Sequence, residues 1–303
     1  MKARWKASSK ASSPKGEERG GERIMRIGFL TAVLNDRPLT EVLDLAREAG
    51  YDAVEIAAWP WSRHISPREA AEGKGEEIVA QVEERGLFIS ALTCHVNHLH
   101  PDPSEREALN EHFRWVVRAA GAMGVPVVTA VSGAPLPDVE EGENWKMFKE
   151  IMGEHLKEAA DLGVKIAVET FPPFMVHNIP TIERMFDELP QENLGLNFDP
   201  SHFVWQGIDY LEAVRGFGDK IFHSHAKDTE VLSHILRLEG VMGRGWWRFR
   251  IPGFGQVDWR ALLSAYREAG YDYVISFEHE DPLFGPEEGV RRAAGFLAEL
   301  VRG

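Results

Sequence analysis

Short apolar runs alternate eight times with amphipathic stretches between residues 25 and 303, and this rhythm limits the folds open to the chain. Alternation of this kind is typical of parallel α/β folds, because each parallel strand needs a crossover, usually a helix, to start the next one. The predicted strands are Arg26–Ala32, Asp52–Ala57, Phe88–Thr93, Pro126–Val131, Lys165–Thr170, Leu194–Asp199, Lys220–Lys227 and Asp272–His279. The predicted helices are Leu39–Ala49, Gly75–Arg85, Ser104–Met123, Asn144–Leu162, Thr181–Glu188, Tyr210–Arg215, Trp259–Ala269 and Pro286–Val301.

The number of βα units favours a closed barrel over an open sheet. Eight βα units match a (β/α)8 TIM barrel, which is typically about 250 residues long. We therefore predict one α/β barrel domain over residues 25–303. A doubly wound open sheet is the alternative, but no GxGxxG turn follows the first strand, so its dinucleotide-binding version has no support. The stretch Asp228–Val257 breaks the rhythm, and we expect a long non-helical loop with a binding or lid function.

Residues 1–24 differ from the rest in composition. They contain seven Lys or Arg residues, three Glu and almost no apolar side chains. Such a segment cannot bury enough apolar surface to order itself, so we expect a disordered basic tail. It also lacks the apolar stretch of a secretory signal. Met25 is a candidate start, because a strand begins directly after it.

Charge and composition narrow the choice of partners. The net charge of -14 argues against a nucleic-acid partner, because an acidic surface repels phosphates. No apolar run is long enough to predict a membrane span. The single cysteine, Cys94, excludes an internal disulfide, which suits a cytoplasmic protein. We expect Cys94 to be a buried small residue rather than a nucleophile.

Polar side chains fall at inward positions near the carboxyl ends of strands five to eight. Side chains alternate between the two faces of a strand, and in a barrel one face points at the axis. That parity sends Glu169, Asp199 and Glu278 inward, together with His223 and His225. Active sites of TIM barrels lie at this end of the strands. We prefer His223 as an interior residue one layer below the mouth. Glu280 shares the parity of Glu278 and is its rival, although it lies further out.

Three carboxylates that converge in one cavity repel one another and are costly to bury. A divalent cation removes both problems, and a mixed oxygen and nitrogen donor set suits Mn²⁺, with Mg²⁺, Co²⁺ or Zn²⁺ as alternatives. A cation that chelates a hydroxyl and a neighbouring carbonyl stabilises an enediolate and so acidifies the C–H bond between them. Glu169 and Glu278 lie on non-adjacent strands and could exchange the proton from two faces.

Five further residues are predicted substrate contacts. His202 follows Asp199 by three residues, and the alternative for it is a surface loop position. The indole rings of Trp59 and Trp61 could pack on sugar C–H surfaces or under a loop. His95 is read as a pocket residue, whereas His98 and His100 are read as loop residues. Of Arg248 and Arg250, the second lies nearer the Pro-Gly turn. The predicted contacts are His202, Arg250, Glu55, Trp59 and His95.

Several motifs together resemble the xylose-isomerase-like TIM-barrel superfamily, in particular its sugar isomerase/epimerase branch. They are Val168-Glu169-Thr170, Phe198-Asp199-Pro200-Ser201-His202, His223-Ser224-His225-Ala226-Lys227-Asp228, Pro252-Gly253-Phe254-Gly255-Gln256-Val257-Asp258-Trp259 and Ser276-Phe277-Glu278-His279-Glu280-Asp281. The resemblance implies one divalent metal held by Glu169, Asp199, His225 and Glu278. It implies acid and base roles for the two glutamates, as in ketose 3-epimerases, and substrate binding by His202 and an arginine after strand seven.

The expected function is therefore isomerisation or epimerisation of a small keto-sugar or polyol. A lyase or dehydratase that acts on an inosose or a 3-keto-glycoside is the first alternative, with His202 or His95 protonating the leaving oxygen. A non-catalytic sugar-binding barrel is the second. The DNA-repair branch of the superfamily uses three zinc ions and more histidine ligands, so the net charge of -14 and the missing ligands argue against it. Barrels of the sugar branch often pair, so we also expect a homo-oligomer, a dimer or a tetramer.

Overall fold

Eight parallel strands close into a barrel in a computed structural model that describes residues 25–302 and the backbone of two short segments before them. Each strand pairs with the next, and the last pairs with the first through Val274 opposite Arg26, which closes the ring. The predicted single-domain (β/α)8 barrel is confirmed. In order, the strands are β1 Arg26–Leu30, β2 Ala53–Ala57, β3 Phe88–Thr93, β4 Val127–Val131, β5 Lys165–Glu169, β6 Leu194–Phe198, β7 Ile221–Ala226 and β8 Val274–Phe277.

Most of the expected tail lies outside the described residues. In residues 1–24 the structure describes only the antiparallel pairing of Glu18–Arg19 with Glu22–Arg23. The expectation of a disordered basic segment therefore stays a prediction.

Eight helices surround the barrel and follow the predicted sequence segments closely. The helix Leu39–Ala49 stops at Gly50, whose φ of 87° is the left-handed conformation expected of a glycine after the last turn. The helix Ile179–Glu188 begins two residues earlier than predicted, because Asn178 caps it and Pro180 fits its first turn. The helices are α1 Leu39–Ala49, α2 Gly75–Glu83, α3 Pro103–Met123, α4 Glu141–Asp161, α5 Ile179–Glu188, α6 Tyr210–Phe217, α7 Trp259–Ala269 and α8 Pro286–Arg302. In the described part of the chain, none of the helices has the length and apolarity that crossing a bilayer requires.

The stretch between β7 and α7 corrects the sequence prediction of a non-helical loop. Asp228–Val231 pairs antiparallel with Trp247–Arg250, and we call these two segments the mouth hairpin. Between them lies a helix, Ser233–Glu239, with no buried residue. The sequence signal for this helix is weak, since a seven-residue helix with no fully buried side chain shows little of the one-sided apolar pattern that predicts a helix.

A single carboxylate organises the turn that follows the mouth hairpin. Asp228 is fully buried and accepts hydrogen bonds from the backbone N–H groups of Gly253 and Val257 and from the indole N–H of Trp259, each at 3.0 Å. A Cβ on Gly255 would lie 2.2 Å from Asp228 Oδ1, so only glycine fits there. The backbone of the Pro-Gly-Phe-Gly motif therefore folds around the Asp228 carboxylate, and these hydrogen bonds hold the turn against the first residue of the mouth hairpin.

Candidate metal centre

The four predicted metal ligands converge at the carboxyl ends of four consecutive strands. Glu169 ends β5, Asp199 directly follows β6, His225 lies in β7 and Glu278 directly follows β8. One ligand atom from each lies within 4.8 Å of the others. The Nδ1 atom of His225 lies 3.2 Å from Glu169 Oε2 and 3.2 Å from Glu278 Oε2. The alternation of strand side chains is thus sufficient to bring the four to one point.

Asp199 shows how the local sequence orients one of these ligands. It caps the short helix Pro200–Gln206, and its Oδ1 accepts the backbone N–H of Ser201 at 2.8 Å. This leaves Oδ2 buried and without a well-formed hydrogen bond, although Lys227 Nζ lies 3.2 Å away. A buried carboxylate oxygen in that state is suited to a cation.

Two of the glutamates are held in the ionised form that a cation requires. Burial alone would raise the pKa of Glu278, but Lys227 and His225 lower it to about 2. Burial would also raise the pKa of Glu169, but the neighbouring His225 and His202 hold that pKa well below the usual range. Buried ionised carboxylates beside an imidazole fit a divalent metal of the Mn²⁺, Mg²⁺, Co²⁺ or Zn²⁺ type.

Lys227 lies in the same cluster, although the sequence interpretation left it without a role. Its Nζ donates to Glu278 and, at 2.9 Å, to Glu280 Oε1, and it lies 4.4 Å from the centre of the Phe249 ring. Burial would lower its pKa, but Glu278 and Asp199 raise it well above the ordinary lysine value. The signal was present in the sequence, since Lys227 shares the inward parity of His225. The chain therefore supplies a cation of its own to this cluster of carboxylates.

Two predicted substrate residues, His202 and His95, border the cluster. His202 Nε2 lies 3.1 Å from Glu169 Oε1, and its ring stacks on Phe171 with centroids 4.3 Å apart. His95 Nε2 lies 3.6 Å from Glu169 Oε2 and 3.1 Å from Thr129 Oγ1. Burial lowers the pKa of His95. Both imidazoles thus border the cluster, and their predicted contact with substrate stays a prediction.

Aromatic rings form two walls around the mouth. Trp59 lies edge-on to His95 with centroids 6.0 Å apart and stacks on Trp61, which is 64% exposed. On the other side, Phe249 of the mouth hairpin packs against His202 and Trp247. The placement of Trp59 beside His95 agrees with the predicted contact to substrate, which stays a prediction.

Arg250, by contrast, is not brought to the cluster. Its Nε donates to Asp281 Oδ2 at 2.8 Å and its Nη1 to Glu230 Oε2 at 2.6 Å. Arg248 also pairs with Glu230, at 2.7 Å. These contacts hold both arginines within the mouth hairpin and tie Arg250 to the loop after β8 as well. The geometry gives Arg250 an anchoring position, and its predicted contact to substrate has no support from these distances.

Glu55 lies one layer below the mouth and is fully buried. Ser276 Oγ donates to Glu55 Oε2 at 2.6 Å, and Thr93 Oγ1 donates to Oε1. His225 Nε2 lies 3.1 Å from Oε1. His223 lies in the same layer, with Nδ1 3.0 Å from Asn197 Oδ1, where the sequence interpretation placed it. The predicted contact of Glu55 to substrate is not favoured by this placement, because its oxygens face His225 and two hydroxyls.

Two sequence comparisons connect this geometry with known proteins. The model of the xylose isomerase-like TIM-barrel family matches residues 43–300. The uncharacterized protein YfiH of Bacillus subtilis is 28% identical over 91% of this chain and 99% of its own length. An inosose isomerase of Bacillus licheniformis is 27% identical over 91% of this chain and 98% of its own length.

A solved structure adds a metal to the comparison. The crystal structure of an IOLI protein with a bound zinc atom superimposes with a TM-score of 0.72 and 25% identity, covering 91% of this chain and 98% of that one. That neighbour binds zinc on the same barrel fold.

Proposed function

This chain belongs to the xylose isomerase-like TIM-barrel family, and we propose that within it the chain is a divalent-metal-dependent isomerase or epimerase of a keto-sugar or related polyol. Glu169, Asp199, His225 and Glu278 would hold the cation. Mn²⁺ is our first choice, and the zinc-bound neighbour supports Zn²⁺ as an alternative. When bound, the cation supplies Lewis acidity, which polarises a substrate carbonyl and acidifies the C–H bond next to it.

One observation carries the proposal. Two ionised glutamates from the non-adjacent strands β5 and β8 each lie 3.2 Å from the same nitrogen, Nδ1 of His225. Carboxylates that flank one point can remove a proton from one face of a substrate carbon and return it to the other. His202 and His95 lie beside Glu169 and would orient the hydroxyl groups of the substrate.

Hydrogen exchange with solvent tests the proposed reaction. The purified chain, loaded with Mn²⁺, is incubated in heavy water with a panel of ketoses and inososes, and the substrate C–H signals are followed by proton NMR. We expect deuterium to enter at the carbon next to the carbonyl, with Glu278→Gln as the inactive control. Retention of every C–H proton across the panel would refute the isomerase proposal.

A dehydratase or lyase in the same pocket is our second proposal, acting on an inosose or a 3-keto-glycoside. It is favoured by the two imidazoles beside Glu169, because His202 or His95 could protonate a leaving oxygen. Product mass separates the two reactions, since isomerisation conserves the substrate mass and dehydration removes one water. A non-catalytic sugar-binding barrel is the third reading, and under it Glu278→Gln would leave any measured turnover unchanged.

Two further expectations belong with this proposal. We propose a small-molecule sugar as the ligand of a cytoplasmic protein that assembles as a homodimer or homotetramer. Light scattering after size-exclusion chromatography measures the assembly. A monomer at micromolar concentration would contradict it.

A further inference from the structure

The carboxylate of Glu55 is fully occupied by partners inside the barrel: the ring of His225 and the hydroxyls of Ser276 and Thr93. We infer that Glu55 is a positioning residue for His225, which fixes the imidazole ring so that Nδ1 faces the metal position and thereby sets the metal affinity. The inference rests on the proposed function, because it concerns the metal of that site. Glu55 would act on Nε2 of His225, the ring nitrogen on the side away from the mouth.

The two nitrogens of His225 face opposite carboxylates. Nε2 lies 3.1 and 3.2 Å from the two oxygens of Glu55, while Nδ1 lies 3.2 Å from both Glu169 and Glu278. A carboxylate that accepts the N–H of one ring nitrogen fixes the tautomer and leaves the other nitrogen free to bind metal. Without that acceptor the ring of His225 could rotate, and either nitrogen could carry the proton.

Glu55 is itself held in place from two strands. Ser276 of β8 and Thr93 of β3 each donate a hydroxyl hydrogen bond to its carboxylate. Two hydroxyl donors and one imidazole donor keep the carboxylate an acceptor and fix its plane. Because burying an isolated carboxylate is costly, this set of partners indicates a specific task for Glu55 in the layer below the mouth.

A second metal ion is the competing explanation for the same residues. Glu55, His223 and His225 each offer a ligand atom within 4.8 Å of the others. However, His223 already has Asn197 beside Nδ1 and Ser90 Oγ 3.3 Å from Nε2. We therefore assign one metal to the mouth and none to the lower layer, and the binding stoichiometry distinguishes the two.

Titration of the full-length, metal-free protein with Mn²⁺ alone, read by calorimetry, tests the inference. We expect one Mn²⁺ per chain for the wild type, and a 10- to 100-fold weaker affinity in Glu55→Gln, as is usual when the partner of a metal-binding histidine is removed. Thermal unfolding in chelator shows whether the variant is folded. Glu69→Gln is the charge control, because it removes an exposed carboxylate that pairs with Lys74 and does not contact His225, and we expect its affinity to stay within threefold of wild type.

Ser276→Ala is the second variant, in case Glu55→Gln does not fold. It leaves every charge in place but loosens Glu55, so we expect a weaker affinity in the same direction, about threefold or more. An affinity within twofold of wild type in both variants would overturn the inference. Two Mn²⁺ per wild-type chain, with one lost in Glu55→Gln, would overturn it in favour of a second metal site. If the wild type binds no divalent metal, the proposed function itself fails, and that result is distinct from the other two.

Discussion

Glu278 and Glu280 follow the last strand with the same parity, and the structure separates their positions. Glu278 lies 3.2 Å from His225 Nδ1 and its side chain is 13% exposed, whereas the Glu280 side chain is 45% exposed and bonds Lys227. Parity could not make this distinction, because both positions point the same way. The depth of the cluster below the mouth is a property of the folded barrel.

Exchanging each glutamate for glutamine tests this separation. We expect Glu278→Gln to lower kcat by about 100-fold or more, since under the proposed function it removes both a metal ligand and a proton-transfer group. Glu280→Gln should lower kcat by less than about tenfold, because it changes only a neighbour of Lys227. Steady-state kinetics at saturating Mn²⁺ give both values. Equal losses in the two variants would mean that the ligand assignment is wrong.

Lys227 is the chain's own cation in the carboxylate cluster, and its removal should change stability and metal affinity in opposite directions. Without it, the carboxylates of Asp199 and Glu278 lose a buried partner, so we expect Lys227→Met to lower the free energy of unfolding in chelator by about 3 kcal/mol. The same variant should bind Mn²⁺ more tightly, because no ammonium competes for the carboxylates.

Urea unfolding in chelator and Mn²⁺ titration measure the two effects of Lys227→Met. Lys74→Met, which removes only an exposed pair with Glu69, should leave the free energy of unfolding nearly unchanged, because solvent screens that pair. Weaker Mn²⁺ binding by Lys227→Met would contradict the competition between lysine and metal.

At the scale of elements, the mouth hairpin depends on the turn wrapped around Asp228. Removing that carboxylate leaves the N–H groups of Gly253 and Val257 and the indole of Trp259 without their acceptor. Each buried donor that loses its partner costs about 1–3 kcal/mol, so we expect Asp228→Ala to lower the free energy of unfolding by about 3 kcal/mol or more.

The consequences of Asp228→Ala should reach the active site. Phe249 and Trp247 lie on the mouth hairpin beside His202, so we also expect a higher KM. Chemical denaturation and steady-state kinetics measure the two effects. Asp258→Ala, which removes only the exposed cap of α7, is the matched control and should cost about 1 kcal/mol. Equal costs for the two variants would show that the wrapped turn contributes no more than a helix cap.

At the scale of the whole molecule, a buried pair of histidines joins two helices of the outer ring. Asn110 of α3 accepts the N–H of His98 and of His155 in α4, each at 2.8 Å. His98 belongs to a loop, as the sequence indicated, but it is fully buried. Burial lowers the pKa of His98 to about 4 and that of His155 to about 2. Both imidazoles are therefore neutral in the folded protein at neutral pH.

These depressed values predict a loss of stability in mild acid. The unfolded chain takes up protons on both histidines below about pH 6.5, while the folded chain does not until about pH 4 for His98. We expect each histidine to remove roughly 2–3 kcal/mol of stability between pH 7 and pH 4.5. Urea unfolding of the metal-free protein at both pH values measures the change. In His98→Gln, the stability lost between pH 7 and pH 4.5 should be smaller by roughly 2–3 kcal/mol. If the variant and the wild type lose the same stability, the depressed pKa of His98 is wrong.

The family resemblance was needed to choose Glu278 over Glu280 and His225 over His223. Strand rhythm and parity by themselves were enough to predict the barrel and the inward direction of these side chains. The reason is that the two-residue period of a strand and the carboxyl-end location of a barrel site are local or generic rules. The helix ends were also readable to within a few residues, since a glycine such as Gly50 stops a helix through its own backbone freedom.

Tertiary structure alone decided the roles of residues that share a parity or a loop. Only the closed barrel places Glu55 beneath His225, because β2 and β7 are remote in sequence and meet across the interior. Only the folded mouth hairpin brings Arg250 to Asp281, which lies 31 residues further along the chain. Lys227 likewise acquires its position from carboxylates on two other strands. Contacts between distant segments depend on how the barrel closes and how its loops pack, and no local pattern in the sequence carries that information.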